Sequence, residues 1–506
     1  MKAWPSFTVA ILSHKRPRLL RRVIGAVAQL DYPEFEIVVV GDEAGIGDYG
    51  LDPAIARQIK YRQLTESNIS KGRNIALAMA AGEIVAFTDD DAAPEPNWLR
   101  ALAEAFRRPK VAAASGRVLA ADGISLEWRG CLFNAAGREM PVEVPKSGVL
   151  IADPHSQNAE NEYLGLIGVN SAFRRTAALQ AGGFLHEAYH YFLEETDLAL
   201  RLARNGWSSA FAPAAVVHHL REENATRTNT RVPRDLFQVA ASKSHFCQRH
   251  LPAEQVDAEL KRYRSARLRE LDPYLRLGVL RRDGLKKLER QLDRGFTEGA
   301  RREAILPLTP GHETSKLYRF KTPGPSPALR IAVVSGSGAA RITRTRRLAR
   351  QLAQAGHNVS CFSYFSGFRP ARVVFTDGMW LHRGGTWRCN QRDLDGRLTM
   401  TRTARSKAEI ARVARDRIFD VILRPSRGGT VEDDFAVDMS QLSGLGAMVA
   451  VSPDPDQQLD PNVLEALSAA LRQGKPGTAQ SADLATATDA RDPRPTVSGE
   501  PSIGYS

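Results

Sequence analysis

The run Ile84-Val85-Ala86-Phe87-Thr88 passes without transition into Asp89-Asp90-Asp91, so a segment apolar enough to be a buried strand stops at three adjacent carboxylates. A strand covered on both faces belongs to a sheet layered between helices, which narrows the fold class at once. The charges constrain it further. Like charges crowded at a strand end repel one another, and a divalent cation with a phosphorylated ligand behind it removes that repulsion. The competing reading is a solvated turn, because Asp is common where strands end.

The flanking pattern places this run in an α/β domain. Residues 7–12 read as a buried strand, and residues 17 to about 30 repeat apolar side chains at helical spacing with Pro17 in the first turn. Residues 36–40 form a second strand closed by Gly41-Asp42, and residues 72–81 a helix closed by Gly82. Asn97 is expected to cap a helix running to Phe106, Gly168-Val169-Asn170-Ser171-Ala172-Phe173 to be a short strand, and Glu194-Glu195 to open an amphipathic helix with acids at its positive end. Strands alternating with helices imply a mostly parallel sheet whose ligands bind at the carboxyl ends of the strands. Asp42 and the Asp triplet both fall at such ends.

With 506 residues the chain holds more than one core, and its charge is divided. Residues 1–224 carry 24 Lys/Arg against 27 Asp/Glu, whereas residues 225–506 carry 46 against 30. A basic half recruits anionic membrane, nucleic acid or a polyanionic substrate, or is a solvated face. Nucleic acid is disfavoured, since no zinc-finger spacing, RNA-binding aromatic signature or long Lys/Arg block is present. Peripheral contact with an anionic membrane is the remaining expectation for Lys261, Arg262, Arg281, Arg282, Lys286 and Lys287. No uninterrupted apolar window reaches membrane-spanning length and no signal-peptide pattern opens the chain, so a cytoplasmic location is expected. Cys131, Cys247, Cys361 and Cys389 are far apart and form no CxxC pair, which argues for reduced core residues.

The organisation expected is a domain over 1–224, a basic helical extension over 225–327 ending in a Pro-rich stretch, a second α/β unit over 328–452, and a disordered tail over 453–506. The second unit opens with Arg330-Ile331-Ala332-Val333-Val334 and the Gly-rich Ser335-Gly336-Ser337-Gly338, a loop type that can hold an anion at a helix N-terminus.

In their order along the chain, the motifs of the first half resemble the family 2 glycosyltransferases of the GT-A fold over about residues 5–225. Ser13-His14-Lys15-Arg16-Pro17 is similar to that family's first nucleotide-contacting loop, with Lys15 and Arg16 flanking it. Asp42 stands where an acid meets the nucleotide base, Ser70-Lys71-Gly72-Arg73-Asn74 looks like the segment near the base, and Asp89-Asp90-Asp91 matches the DxD signature. The resemblance implies a nucleotide-diphosphate sugar donor held by Ser13, Asp42, Arg73, Asp89 and Asp90, the last chiefly a spacer between the outer acids. It implies Mg²⁺ or Mn²⁺ on Asp91, Asp89 and His219, and a hydroxyl acceptor deprotonated by a carboxylate at the helix start. The family has Glu-Asp there, where this chain has Glu194-Glu195; Glu195 is taken as the base with Glu194 as the alternative, and Asp197 as structural. Direct displacement by such a base inverts the anomeric configuration. Residues 328–430 resemble, more weakly, the N-terminal half of a family 4 glycosyltransferase of the GT-B fold, which implies a Rossmann-like, non-catalytic or acceptor-binding remnant. A non-catalytic nucleotide-sugar or glycan scaffold and a nucleotidyltransferase are the competing functions.

Overall fold

The computed structural model describes residues 4–145, 148–152, 162–223, 228, 232–306, 316–322, 328–335, 339–385, 388–389, 398–399, 402–414, 417–425 and 448–452. The expectations for the Gly-rich loop at 336–338, the Pro-rich stretch at 323–327 and the tail from 453 therefore lie outside the described residues.

The first unit opens with β1 (Phe7–Ser13), α1 (Pro17–Val27) and β2 (Phe35–Gly41). In α1, Leu20, Val23, Ile24 and Val27 are buried, one helical stripe laid on the sheet. Next come α2 (Pro53–Ala56), β3 (Ile59–Gln63), α3 (Ile69–Met79), β4 (Ile84–Asp89), β5 (Ala92–Pro94) and α4 (Trp98–Phe106). The chain continues through β6 (Val111–Leu119) and five short strands: β7 (Leu126–Trp128), β8 (Leu132–Asn134), β9 (Glu139–Met140), β10 (Leu150–Ala152) and β11 (Glu162–Leu164). It closes with β12 (Ser171–Arg174), α5 (Arg175–Gln180), α6 (Glu194–Arg204) and β13 (Ser208–His219).

The sheet runs β10-β13-β6-β12-β4-β1-β2-β3. β1 lies parallel between β2 and β4, β3 extends the parallel set, and β13 is parallel to β6. Only the short β10 and β12 oppose their neighbours on this path. The sheet is therefore mostly parallel, as expected, with the carboxyl ends of β1 and β4 side by side: Leu12 is the register partner of Asp89. Two local expectations fail. Asn97 has φ −84° and ψ 2°, outside the extended geometry that lets a side chain reach back to the helix amides, and makes no capping hydrogen bond. Gly168, Val169 and Asn170 form a 3₁₀ turn, and the strand begins at Ser171.

The basic segment is helical, as α7 (Phe237–His250), α8 (Ala253–Arg269), α9 (Asp272–Arg276) and α10 (Arg282–Gly299). It is joined to the first unit through α7, whose Phe246 sits in the main core and whose His250 meets the buried Asp197 at 2.8 Å. Farther on, Phe320 packs its ring 5.5 Å from Phe35, so the connecting chain is laid against the first unit.

The second unit comprises β14 (Arg330–Val334), α11 (Ala339–Gln354), β15 (Asn358–Phe365), β16 (Arg372–Thr376), β17 (Met379–Gly385), β18 (Arg388–Cys389), β19 (Leu398–Thr399), α12 (Arg402–Val413), β20 (Val421–Pro425) and β21 (Met448–Ser452). Its main sheet runs β16-β17-β15-β14-β20-β21 and is parallel except at β16. α11 covers one face through Leu348, Ala349 and Leu352. On the other, Ile410 and Val413 of α12 cover β14 and β15, while Val373, Phe375 and Trp380 are buried against Ala26 of α1 and Ala93 of β5. The first unit thus completes the second unit's core. The approach is close enough that a Cβ at Gly123, which also has φ +67°, would meet Val373 at 2.3 Å.

Candidate active site

Among the described residues, five non-glycine positions have positive φ, and four of them, Lys15 (58°), Phe192 (77°), Leu193 (67°) and Arg221 (48°), line a single cavity of about 1090 Å³. Such backbone persists only where the surroundings over-determine it, and it concentrates at functional sites. The cavity opens at the carboxyl ends of β1 and β4, with the start of α6 and the end of β13 on its walls. Two consecutive left-handed residues, Phe192 and Leu193, turn the chain into α6 and set Glu194 and Glu195 at its first turn.

One wall carries a group of side chains that could hold a cation. Asp89, Asp91 and His219 each offer a ligand atom, and these atoms lie within 4.8 Å of one another. Burial raises the pKa of Asp89, and the neighbouring Asp91 carboxylate raises it further. His219 Nε2 lies 3.2 Å from Asp91 Oδ1, and its Nδ1 lies 3.0 Å from Glu127 Oε2. Burial would discharge this imidazole, but its bonds to Asp91 and Glu127 outweigh burial and hold its pKa up at about 9. Glu127 also accepts from Arg221 Nε at 2.8 Å, which fixes the carboxylate that orients the ring.

The middle acid is more than a spacer. Asp90 is buried, accepts from Ser13 Oγ at 2.8 Å and pairs with Arg16 Nη1 at 2.6 Å, so both its oxygens tie down the first loop. Burial pushes its carboxyl up to about 7 against the pull of Arg16. Arg16 does not merely flank the loop: its Nη2 reaches Asp91 Oδ2 at 3.4 Å and donates to the carbonyls of Glu222 and Glu223. Asp42 accepts from the Lys15 amide at 2.9 Å and from Tyr49 Oη at 3.1 Å, which anchors the same loop from β2.

Opposite the Asp cluster stands the acid pair. Arg73, expected at the nucleotide, lines the cavity while buried and paired with Glu194, with Nη1 2.7 Å from Oε1. Its guanidinium lies 5.8 Å from the Phe87 ring centroid and 5.4 Å from that of Phe184, which fixes its direction. Glu195 is only 3.7 Å from the same nitrogen and accepts from the Gly168 amide at 3.1 Å. Burial first, and the Glu194 charge second, push the Glu195 carboxyl up to about 8. The two neighbours are thereby made different: Glu194 is the closer ion-pair partner of Arg73, and Glu195 a carboxyl whose proton affinity is raised to near neutral pH. Asp197, one turn on, is fully buried on Arg201, His250 and Tyr189 and belongs to the scaffold.

The structure therefore gathers Ser13, Arg73, Asp89, Asp90, Asp91, Glu194, Glu195 and His219 around one cavity, with Asp42 behind its rim loop. Sequence reasoning missed Glu127, for which no motif exists, and the reach of Arg16, for which the signal was its place on a loop at the end of β1.

Comparison with known proteins follows the same division. Residues 8–178 match the family model described as Glycosyl transferase family 2, which bears out the resemblance of the first half. An uncharacterized protein of Sinorhizobium fredii (strain NBRC 101917 / NGR234) is 22% identical over 240 residues, covering 46% of this chain and 26% of that protein. An uncharacterized protein of Mycobacterium tuberculosis (strain CDC 1551 / Oshkosh) is 26% identical over 235 residues, covering 46% of this chain and 71% of that one. Among solved structures, GalNAc-T7 with UDP, GalNAc and Mn²⁺ aligns with a TM-score of 0.39 and 14% identity, over 49% of this chain and 48% of that one. The chain spans about a quarter of the Sinorhizobium protein. Glu194, Glu195 and His219 lie beyond the family match and rest on the geometry above.

Proposed function

We propose that this chain, whose residues 8–178 carry the family 2 glycosyltransferase match, is an inverting, metal-assisted hexosyltransferase that moves a sugar from a nucleotide-diphosphate donor to a hydroxyl acceptor. The observation that carries the reading is that one cavity holds both a cation-binding group, Asp89, Asp91 and His219, and a separate carboxylate, Glu195, whose proton affinity suits a base near neutral pH. Two carboxylates and an imidazole fit Mg²⁺ or Mn²⁺, and burial followed by the Asp91 charge raises the pKa of Asp89, so a cation placed there would relieve the repulsion. Bound there, the cation would neutralise charge on the departing diphosphate.

The chain's own residues supply the remainder. Ser13 and Arg16 hold Asp90 and with it the loop that faces the diphosphate, while Asp42 fixes that loop from behind. Glu195 accepts the acceptor's proton as its oxygen attacks the anomeric carbon from the face opposite the diphosphate. Arg73 pairs with Glu194, and the charge of that neighbour supports the basicity of Glu195. The second unit is read as a non-catalytic clamp on β13 and β5, and the acceptor as a cell-envelope glycan, glycolipid or secondary metabolite. Among the described residues no helix is long and apolar enough to cross a membrane, so any membrane contact in this reading is peripheral, through the basic helices.

A screen of UDP-, GDP- and dTDP-sugars with Mg²⁺ or Mn²⁺, read by released nucleoside diphosphate, tests the proposal. Turnover that vanishes with chelator and in Asp91→Ala supports it; donor binding without turnover of any donor overturns it. That second outcome would favour a nucleotide-sugar-binding scaffold, for which the specific support is Arg16, a built-in cation already seated on Asp90 and Asp91.

A further inference from the structure

The cavity extends well past the acid pair, and its far wall is built by the helical segment together with Arg138 and Glu139 at β9 of the first unit. Arg138, Lys243, Arg262 and Arg267 all line it there, and Glu139 is the acid that lines it beside them. Their counter-ions stand behind the wall. Glu259, with its side chain 2% exposed, pairs with Arg138 Nη2 at 2.6 Å, Lys243 Nζ at 2.9 Å and Arg262 Nη2 at 2.8 Å, so one carboxylate serves three cations. Arg267 pairs with Glu270, which does not line the cavity. The surface offered to the cavity is thus an excess of guanidinium, with the heads of Arg138 and Arg262 45% and 42% exposed.

A second, independent observation points to a ligand. Tyr263 is 7% exposed and lines the cavity, yet its hydroxyl has no hydrogen-bond partner. Its ring is held between cations, Lys243 Nζ at 5.3 Å and the Arg267 guanidinium at 5.2 Å from the centroid, and Arg267 Nε is likewise buried without a partner. Two orphaned donors among excess positive charge ask for an oxyanion. Lys243, itself buried, is fixed by the Ala136 carbonyl as well as by Glu259, so the wall is rigid before anything binds.

We infer that the helical wall formed by Arg138, Lys243, Arg262, Tyr263 and Arg267 binds an anionic group, phosphate or carboxylate, carried by the acceptor. This deepens the proposed function and rests on it for the word acceptor. It also gives the positive charge of the helical segment a substrate to meet, since these residues face a cavity shared with Glu195.

The test separates the two readings by leaving out donor and metal. The full chain, in chelator, is titrated calorimetrically with glycerol 3-phosphate, glucuronate and glucose. At least one anion is expected to bind about tenfold or more tightly than glucose, and whichever does so identifies phosphate or carboxylate as the group recognised. Arg262→Gln combined with Arg267→Gln is expected to remove that preference; Tyr263→Phe, which keeps the ring and the fold, is expected to weaken anion binding by about threefold or more. Anions that bind no better than glucose, or that bind the double variant as well as the wild type, overturn the inference. Anion binding in a chain that turns over no donor would sink the transferase reading and leave the subsite standing. Donor turnover without anion preference would do the reverse.

Discussion

Strand β13 ends in two adjacent histidines that serve two buried charge clusters, one open to the candidate site's cavity and one at the interface between the units. His219 faces Asp91 and Glu127 on the cavity wall. His218, on the opposite side of the strand, lies 2.6 Å from Glu95, which takes Arg417 of the second unit at 2.5 and 2.8 Å. Arg417 continues to His382 at 2.8 Å, and His382 to Glu409 at 3.1 Å, with the Trp380 ring 3.9 Å from the guanidinium. In the interface cluster every charge meets its complement: Arg417 holds Glu95 well below the usual carboxylate range, and burial drives His382 down to about 3, so it stays neutral between its partners. In the open cluster the acids exceed their partners and Asp89 is raised. Burial is shared by both; what distinguishes a site from a scaffold here is incomplete compensation.

That contrast can be broken by substitution. The largest expected effect is on the open side: Asp91→Ala should lower donor turnover by on the order of 10³-fold or more while leaving the melting temperature near that of the wild type, because removing one of several like charges relieves repulsion. On the interface side Arg417→Met should do the opposite. Leaving Glu95 buried without its cation should destabilise the protein by about 3–5 kcal/mol in denaturant titration, with turnover per folded molecule largely kept. If Arg417→Met were neutral in stability, the interface would not be the clamp described.

Glu195→Gln should reduce kcat by about 10²–10⁴-fold without loss of Mn²⁺ binding. The wild-type rate should climb with pH and level off near Glu195's value of about 8, since only the deprotonated carboxylate accepts a proton. The same residue affects stability with a definite sign. Its pKa is raised from 4.5 in the folded state, so the fold retains a proton that the unfolded chain has released, and this contribution to stability declines as pH rises from 4.5 towards about 8. Glu195→Gln should flatten that part of the profile in thermal scans across pH. The smallest effect expected is from Glu127→Gln, which leaves the ligands in place but loosens His219: about 10-fold weaker Mn²⁺ affinity by titration.

The ends of the strands were legible from the first reading, because an apolar run with a hard polar stop fixes both the element and the side of the sheet on which its acids emerge. That is why Asp42 and the Asp triplet could be assigned to carboxyl ends, and why Glu194 and Glu195 could be put at a helix start. Partners were not legible. Arg73 and Glu194 are separated by 121 residues, Arg16 and Asp90 by 74, and no local pattern says which cation will meet which acid. The Asn97 cap failed on backbone geometry: the type of residue was right, but φ −84° and ψ 2° are not the extended values that a capping side chain needs. Nor could composition show that part of the second unit's core would be supplied by Ala26 and Ala93 of the first.

The placement of His218 and His219 on one strand also limits how this gene can change. Successive residues of a strand point to opposite faces, so inserting or deleting one codon in this segment would turn each histidine to the other face, and the two clusters could not both keep their imidazole. This stretch has a fixed phase, inherited jointly by both units.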